Sequence, residues 1–370
     1  MLCIAATPLV LGEKYMKNGI ILGLGAFAIS ALSAPLSADT FTLRIGSGHP
    51  NGPAVYVTDT ANFFVPEVVR RVAAETEHEI EFVEGYGGAM AGVAETLEAV
   101  QNGILDIGAY CICFEPAKLF LHNFPYYAPF GPGDSVTAMS AVRSVYNDVP
   151  WLTEQFTGEY GQELLGLHGW DNYHVGTTDA WDTIADLKGV KIGGAGPNLP
   201  WLEFAGAIPV QSTLPDGYLS LQTGVYNGWL MFPSAYLGFK FHEPSPNYTL
   251  VGFGAMPVNA LTANVRTMAG LPEDVQQILR EVGQAYENQS GVSLNAAQKR
   301  GLDGLAAAGT NVKSLSDDVR AEWADSLTGF PQQQATEADG RGMPGSEVMK
   351  AYLAAVPAAG HDWPVSYTVD

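Results

Sequence analysis

The chain has 370 residues, of which 47% are hydrophobic and 15% charged, and its 39 acidic residues outnumber its 18 basic ones. That length is sufficient for two domains with substantial cores. The formal net charge of -21 argues against binding to nucleic acids or to anionic membrane surfaces, because both of these partners require basic patches.

Residues 1–38 have the pattern of a secretory signal. A basic segment at Lys17 precedes an apolar run, residues 19–32, and then small residues that end at Ala38. The apolar run is too short for a comfortable membrane span. We therefore expect cleavage after Ala38 and export of a mature chain that is not inserted into the membrane, an uncleaved anchor being the alternative. A misassigned start would account for residues 1–15.

The mature chain begins with alternating strand and helix patterns. Strand patterns start at Phe41, Ile80 and Leu105, and helical patterns over residues 55–75 and 91–102 separate them. This alternation predicts a parallel sheet.

A second set of alternating elements follows. Strand patterns at residues 164–168, 190–193 and 228–232 alternate with shorter helical patterns. After about residue 254 the chain is predicted to return to the first domain. A long helix is expected to start near Leu271, because a proline and two acidic residues follow there, as the first turn of a helix prefers.

Residues 332–345 are polar and rich in glycine, which is typical of a linker or an excursion, and a small helix is predicted over residues 348–356. Two cysteines, Cys111 and Cys113, remain after the predicted cleavage. Residues two apart on one strand make a strained disulfide, and the further ligands of a zinc site are missing. The expectation is two buried free thiols.

Signatures of catalysis are weak throughout the sequence. It has no nucleophile elbow, no zinc-protease helix and no Walker phosphate loop. Residues 193–196 form a glycine-rich turn after a strand, but Pro197 and Pro200 interrupt the helix that should follow a phosphate-binding loop. No two histidines stand four residues apart on a helix. The sequence predicts no catalytic residues, no metal site and no cofactor.

Four motifs, in chain order, resemble those of the solute-binding proteins of TRAP transporters, the tripartite ATP-independent periplasmic systems. They are VQNGILDIG at residues 100–108, FPYYAPF at 124–130, DLKGVKI at 186–192 followed by GAIPV at 206–210, and LQTGVYNG at 221–228. The resemblance covers about residues 41–320. It implies an α/β, two-lobed periplasmic binding protein fold, with two mostly parallel sheets, flanking helices, hinge strands and a long spanning helix.

The resemblance also implies a domain division and partners. Lobe I is expected to comprise residues 39–163 and about 255–330, and lobe II residues 164–254, with residues 331–370 as a C-terminal tail that packs on the lobes. The lobes would close over a small-molecule ligand in the periplasm and deliver it to TRAP-type membrane permease subunits. Service to an ATP-driven transporter or to a sensor kinase is the alternative within similar folds.

At the expected ligand site the sequence departs from the family pattern. The family resemblance implies an arginine that binds a ligand carboxylate after Lys191 and Ile192, but Gly193 stands there. Residues 169–174 also lack an arginine, and Asn227 replaces an aspartate. Aromatic and amide side chains at strand ends are predicted to line the cleft instead. The candidate ligand-binding residues are His49, Tyr86, Tyr110, Trp170, Asn172, Tyr173, Asn198, Trp201, Trp229 and Phe232.

Two classes of ligand are compatible with such a cleft. The first, which we favour, is an aromatic or apolar monocarboxylate, held by amide side chains, by backbone N–H groups of residues 193–198, or by a histidine such as His49 or His174. The second is a quaternary ammonium compound or a zwitterion in an aromatic cage. A dicarboxylate in the same fold and a secreted α/β hydrolase are the further alternatives.

Overall fold

The computed structural model describes residues 39–370, and the predicted signal peptide lies outside them. Eleven strands in this part of the chain build two β-sheets. The first has the order β2 (Glu79–Gly85), β1 (Thr40–Gly46), β3 (Ile107–Cys111), β10 (Met256–Asn264), β4 (Gln162–Trp170). The second has the order β11 (Asn311–Ser314), β9 (Asn247–Leu250), β5 (His174–Thr177), β8 (Gly228–Met231), β6 (Lys191–Gly194), β7 (Ile208–Gln211).

Both sheets are mixed rather than mostly parallel, which corrects the sequence prediction. Strand β1 pairs in parallel with β2 and β3, and β6 with β7 and β8, as strand–helix–strand units require. However, β10 is antiparallel to β3 and β4, and β5 is antiparallel to β8 and β9. The reason is that the chain leaves the first sheet along β4 and returns to it along β10, so these neighbours run in opposite directions.

Two short segments carry the chain between the sheets, residues 171–173 after β4 and residues 251–255 before β10, and a third, helical crossing leads from β10 to β11. The two short segments are hydrogen-bonded to each other: Tyr173 N donates to Gly254 O at 3.1 Å, and Phe253 N donates to Tyr173 O at 3.1 Å. These crossing segments are the hinge strands that the resemblance implied. Strand β4 belongs to the first sheet and strand β11 to the second. The lobe boundaries predicted from the sequence stay a prediction.

Helices cover the faces of both sheets. They are α1 (Val55–Asp59), α2 (Val65–Glu75), α3 (Thr96–Gln101), α4 (Phe124–Tyr127), α5 (Ser135–Asp148), α6 (Trp151–Tyr160), α7 (Leu199–Phe204), α8 (Leu214–Gln222), α9 (Pro233–Gly238), α10 (Val265–Ala269), α11 (Glu273–Ala307), α12 (Asp317–Ser326), α13 (Phe330–Gly340) and α14 (Gly345–Ala358). A π-helical segment, Thr60–Phe64, joins α1 to α2, so the predicted helical stretch over residues 55–75 is continuous.

The long helix α11 has 35 residues and therefore extends for about 50 Å. It packs against β4 of the first sheet and against α9, which follows β8 of the second. Glycines allow both contacts to be close: a β-carbon on Gly283 would lie 2.5 Å from Leu165 O, and one on Gly301 would lie 2.6 Å from the carbonyl carbon of Pro233. This is the predicted spanning helix.

The predicted linker over residues 332–345 is wrong, because most of it is helical. Helix α13 runs to Gly340 and α14 starts at Gly345, and α14 packs against α5 and α4. The last residues also contact the rest of the chain, since the Tyr367 hydroxyl donates to Pro129 O at 2.7 Å. Local polarity misled the prediction, since a helix needs only one buried face, and Ala335 and Ala338 supply part of it here.

None of the helices in residues 39–370 combines the length and the apolar character needed to cross a membrane.

Candidate functional site

A small cavity of about 20 Å³ lies at the carboxyl ends of strands from both sheets. This is the edge of an α/β sheet at which ligands commonly bind. Its lining residues are His49, Cys113, Phe114, Trp170, Tyr173, Ala195, Asn198, Leu214, Trp229, Leu230, Met231 and Phe232. They follow or end β1, β3, β4, β6 and β8, apart from Leu214 at the start of α8.

Aromatic rings, with His49 counted, make up six of the twelve lining residues of the cavity, and several of them pack against one another. The Trp170 indole stacks on Phe232, with ring centroids 4.7 Å apart and planes inclined by 19°. The Tyr173 ring meets Phe232 edge-on at 5.0 Å. The Trp170 Nε1–H group donates to the Cys111 sulfur at 3.3 Å, which fixes the orientation of the indole. These rings are almost completely buried and pack on one another, so their positions are fixed by contacts within the wall.

The cavity lining carries no charged side chain among its twelve residues. Its one histidine, His49, is buried, and burial lowers its pKa to about 4, so the ring is neutral at pH 7. The Tyr173 hydroxyl is already paired with the Tyr126 hydroxyl at 3.0 Å. The polar groups left for a ligand are thus neutral and few.

The glycine-rich turn after β6 does not offer its backbone N–H groups to a ligand. Ala195 N donates to the Asn198 Oδ1 atom at 3.2 Å, and Gly196 N donates to the Gln211 Oε1 atom at 2.7 Å. The Asn198 side chain accepts through its oxygen, and its amide nitrogen has no hydrogen bond to any described residue. Asn198, rather than the backbone, is therefore the donor that this turn can offer.

Six of the ten candidate residues line the cavity: His49, Trp170, Tyr173, Asn198, Trp229 and Phe232. The other four do not. The Tyr110 hydroxyl donates to Gln162 within the first sheet, and Tyr86 lies at the end of β2 with its hydroxyl buried. Trp201 is completely buried on α7, where its Nε1–H donates to Tyr126 O at 2.9 Å and its ring stacks on Phe253. Tyr86, Tyr110 and Trp201 therefore pack in or against the hydrophobic core and do not line the cavity. Their orientation depends on tertiary packing, which the sequence does not reveal.

The fourth, Asn172, belongs to the crossing segments. Its Oδ1 atom accepts from Gly254 N at 2.9 Å, which ties the two segments together. His174, an alternative carboxylate ligand in the sequence analysis, has a similar place: its Nδ1 atom accepts from Gly252 N at 3.0 Å. Burial lowers the His174 pKa to about 3. Both side chains stabilise the hinge instead of lining the cavity.

Six lining residues were missed from the sequence: Cys113, Phe114, Ala195, Leu214, Leu230 and Met231. Cys113 and Phe114 directly follow the end of β3, so strand-end position was a usable signal for them. Leu230 and Met231 share β8 with Trp229, and their apolar character gave no reason to separate them from the core.

The expectation of two free thiols is also wrong, because Cys111 and Cys113 form a disulfide. The prediction assumed that both residues belong to one strand. In fact β3 ends at Cys111 and a 3₁₀ turn, Ile112–Phe114, follows, so the Cα atoms lie 5.2 Å apart, a separation that a disulfide spans.

Among residues 39–370, no group of three or more histidine, cysteine, aspartate or glutamate side chains could hold a metal ion.

Two mixed α/β sheets, joined by paired crossing segments and enclosing a cavity at their strand ends, define a two-lobed solute-binding protein. Residues 64–337 match the family described as bacterial extracellular solute-binding protein, family 7, also called DctP. The chain therefore belongs to this family, the periplasmic solute-binding proteins of TRAP transporters. Proteins of this family bind solutes and do not transform them, so the hydrolase alternative is wrong.

The chain is similar to individual members of the family over most of its length. It is 26% identical to the C4-dicarboxylate-binding periplasmic protein DctP of Rhodobacter capsulatus over 297 residues, which cover 73% of this chain and 89% of that protein. A marine metagenome TRAP solute-binding protein specific for aromatic acid ligands, solved with 3-hydroxybenzoate, has a TM-score of 0.77 at 20% identity, covering 88% of this chain and 100% of that one.

The periplasmic ectoine-binding protein of the TeaABC TRAP transporter of Halomonas elongata has a TM-score of 0.73 at 20% identity, covering 86% of this chain and 99% of that one. At this level of identity the structural likeness establishes the fold.

Proposed function

We propose that this chain is a periplasmic receptor that captures a small aromatic monocarboxylate and delivers it to a TRAP membrane permease. The observation that carries the proposal is the lining of the cavity, which includes the rings of Trp170, Trp229, Phe232 and Tyr173 and no charged side chain. At about 20 Å³ the cavity is far below the usual range for small-molecule sites, which starts near about 300 Å³, so a single-ring ligand requires the lobes to move apart.

Three considerations support this ligand class over a C4-dicarboxylate. No lining residue is an arginine or a lysine, whereas a doubly charged ligand would need cationic partners to offset its desolvation. The rings favour a flat ligand by stacking. The aromatic-acid receptor of the marine metagenome shares the fold, although the Rhodobacter capsulatus relative is a dicarboxylate-binding protein.

The aromatic cage also favours a second candidate, a quaternary ammonium compound or a zwitterion. Trp170 and Phe232 present stacked faces, and a cation close to an aromatic face is attracted by it. The ectoine-binding protein of Halomonas elongata has the same fold. A ligand screen separates the two candidates.

The test is a thermal-unfolding screen with 3-hydroxybenzoate, benzoate and mandelate, with succinate and malate, and with ectoine and glycine betaine. A micromolar ligand at millimolar concentration stabilises the protein by about 4 kcal/mol, which gives a clear shift in Tm. We expect the aromatic acids alone to give it. A shift with dicarboxylates only, or with betaines only, would contradict the proposed ligand class.

Delivery is the second part of the proposal. The crossing segments at residues 171–173 and 251–255 are the hinge, and closure around them encloses the ligand before the receptor docks on the permease. Uptake of the labelled acid into proteoliposomes that contain the partner TRAP permease should require addition of the receptor. Uptake that proceeds equally without it would contradict the proposal.

A further inference from the structure

The cavity wall contains a buried polar atom with no partner inside the protein. His49 is 1% exposed and lines the cavity. Its Nδ1 atom lies 2.9 Å from the Tyr56 hydroxyl, but no described residue lies within hydrogen-bonding distance of its Nε2 atom. The rings of Tyr56, Phe114 and Trp170 surround the imidazole edge-on. Buried polar groups are normally paired, so an unpaired ring nitrogen at a cavity wall points to a ligand.

The hydrogen bonds behind His49 determine which ring nitrogen carries the proton. The Tyr56 hydroxyl lies 3.0 Å from the Ser47 hydroxyl, which also accepts from the His49 backbone N–H at 3.3 Å. If Nδ1 carried the proton, Tyr56 would accept it and donate its own hydrogen to Ser47. The Ser47 hydrogen would then have no acceptor among the described residues.

The opposite arrangement pairs the hydroxyl hydrogens of both Ser47 and Tyr56 and leaves only the hydrogen on His49 Nε2 for a ligand. Ser47 donates to the Tyr56 oxygen, and Tyr56 donates to Nδ1 of His49. The proton of the neutral ring is then on Nε2. The cavity therefore presents a neutral N–H donor, and the free amide nitrogen of Asn198 is a second donor in the same lining.

We propose that the His49 Nε2–H group, oriented by Tyr56 and Ser47, binds the ligand by donating a hydrogen bond to an acceptor oxygen. The ligand is then a flat molecule whose carboxylate or carbonyl oxygen is recognised by neutral donors instead of an arginine. This inference rests on the proposed function and adds the polar contact to it. A quaternary ammonium group, which has no acceptor, cannot use this contact.

The experiment measures the affinity for 3-hydroxybenzoate by calorimetry in the wild type and in two variants of His49. His49→Phe keeps a ring but removes the donor, and it should weaken binding about tenfold to hundredfold, the effect of one hydrogen bond to a charged group. His49→Gln returns an N–H donor near the position of Nε2 and should recover a large part of the affinity. Affinity within twofold of wild type in His49→Phe would overturn the proposal.

A second pair of variants tests the orienting role of Tyr56. Tyr56→Phe removes the hydroxyl that fixes the tautomer, so it should weaken binding severalfold and increase the Nδ1–H form of His49 in long-range ¹H–¹⁵N spectra. Tyr146→Phe is the matched control, because the Tyr146 hydroxyl makes the same bond to Nδ1 of His122, at 2.8 Å, away from the cavity. It should leave the affinity unchanged. Equal losses in both variants would show a general packing effect and contradict the orienting role.

Failure of this inference and failure of the proposed function give different results. If no aromatic acid binds the wild type, the proposed function fails. The ¹H–¹⁵N spectrum of the ligand-free protein still tests His49, and an Nδ1–H tautomer there would overturn the inference. If dicarboxylates bind instead and His49→Phe leaves their affinity unchanged, the contact is also refuted. Unfolding curves of each variant without ligand establish that it is folded.

Discussion

The indole of Trp229 occupies the space that a side chain at Gly193 would need. The two residues are paired across β6 and β8, and a β-carbon on Gly193 would lie 2.7 Å from Trp229 Cε3. The Tyr226 ring lies almost as close to the same point, at 3.1 Å. Glycine at this position and tryptophan at its neighbour are therefore a coupled pair, in which the small residue makes room for the large one.

The first prediction is that Gly193→Arg destabilises the protein. The new side chain would displace the Trp229 ring, and overpacking of this kind costs about 1–3 kcal/mol. Urea unfolding measures the loss. The double variant Gly193→Arg, Trp229→Ala should lose less stability than the two single losses added together, because Trp229→Ala provides space for the arginine. Strict additivity would show that the two side chains do not compete.

This pair illustrates what the sequence could and could not predict. The motifs and strand periodicity predicted the two-lobed fold and the long helix α11. They could not show that Trp229 fills the space beside Gly193, because that depends on the pairing of β6 with β8, which are separated in the chain by helices α7 and α8 and strand β7. Position at a strand end correctly predicted that His49 and Phe232 line the cavity. The same rule failed for Trp201, because its indole points from α7 into the hydrophobic core.

Trp201 and Trp229 should respond differently to the same substitution. Trp201→Phe removes the donor to Tyr126 O and leaves a space beside Phe253, so it should cost about 1–3 kcal/mol of stability with the ligand Kd unchanged. Trp229→Phe reduces the wall of the cavity and should weaken ligand binding severalfold. Chemical unfolding and calorimetry, performed on both variants, give the two quantities. A larger change in Kd for Trp201→Phe than for Trp229→Phe would refute this assignment.

Arg320 connects helix α12 to the hinge. Its Nε and Nη2 atoms donate to the carbonyl oxygens of Val251 and Gly252 at 3.0 and 3.1 Å, and its guanidinium lies 5.0 Å from the Phe130 ring centroid. Arg320→Met leaves two carbonyls of a crossing segment without this donor and should cost about 1.5–3 kcal/mol. Urea unfolding measures this cost.

The matched control is Arg70→Met, since Arg70 is exposed and, among residues 39–370, pairs only with Glu67 of its own helix. Surface pairs of that kind contribute about 0–1 kcal/mol. Arg320→Lys should restore little, because an ammonium cannot reproduce the planar, two-point contact. Equal stability losses in Arg320→Met and Arg70→Met would show that α12 does not support the hinge.

Asp171, in the first crossing segment, makes stability depend on pH. The carboxylate is completely buried, and burial raises its pKa to about 7, although hydrogen bonds from the Ser234 backbone N–H and hydroxyl act against this. Between pH 4 and pH 7 the folded protein thus holds a proton that the unfolded chain has released. The free energy of unfolding should fall as pH rises through this window, by up to about 1.4 kcal/mol per pH unit from this group.

The variant Asp171→Asn isolates this contribution, because buried histidines act in the opposite direction. Burial lowers the pKa of His122 to about 3, so its protonation removes stability as pH falls below 6.5. Subtracting the free energy of unfolding of the wild type from that of Asp171→Asn cancels the histidine contribution, which both proteins share. This difference should increase from pH 4 to pH 7, because the wild type loses stability in that window and the variant does not. Ser234→Ala, which removes one donor to the carboxylate, should move the window to higher pH. A stability difference that stays constant with pH would show that Asp171 is ionised throughout and that its two hydrogen bonds outweigh its burial.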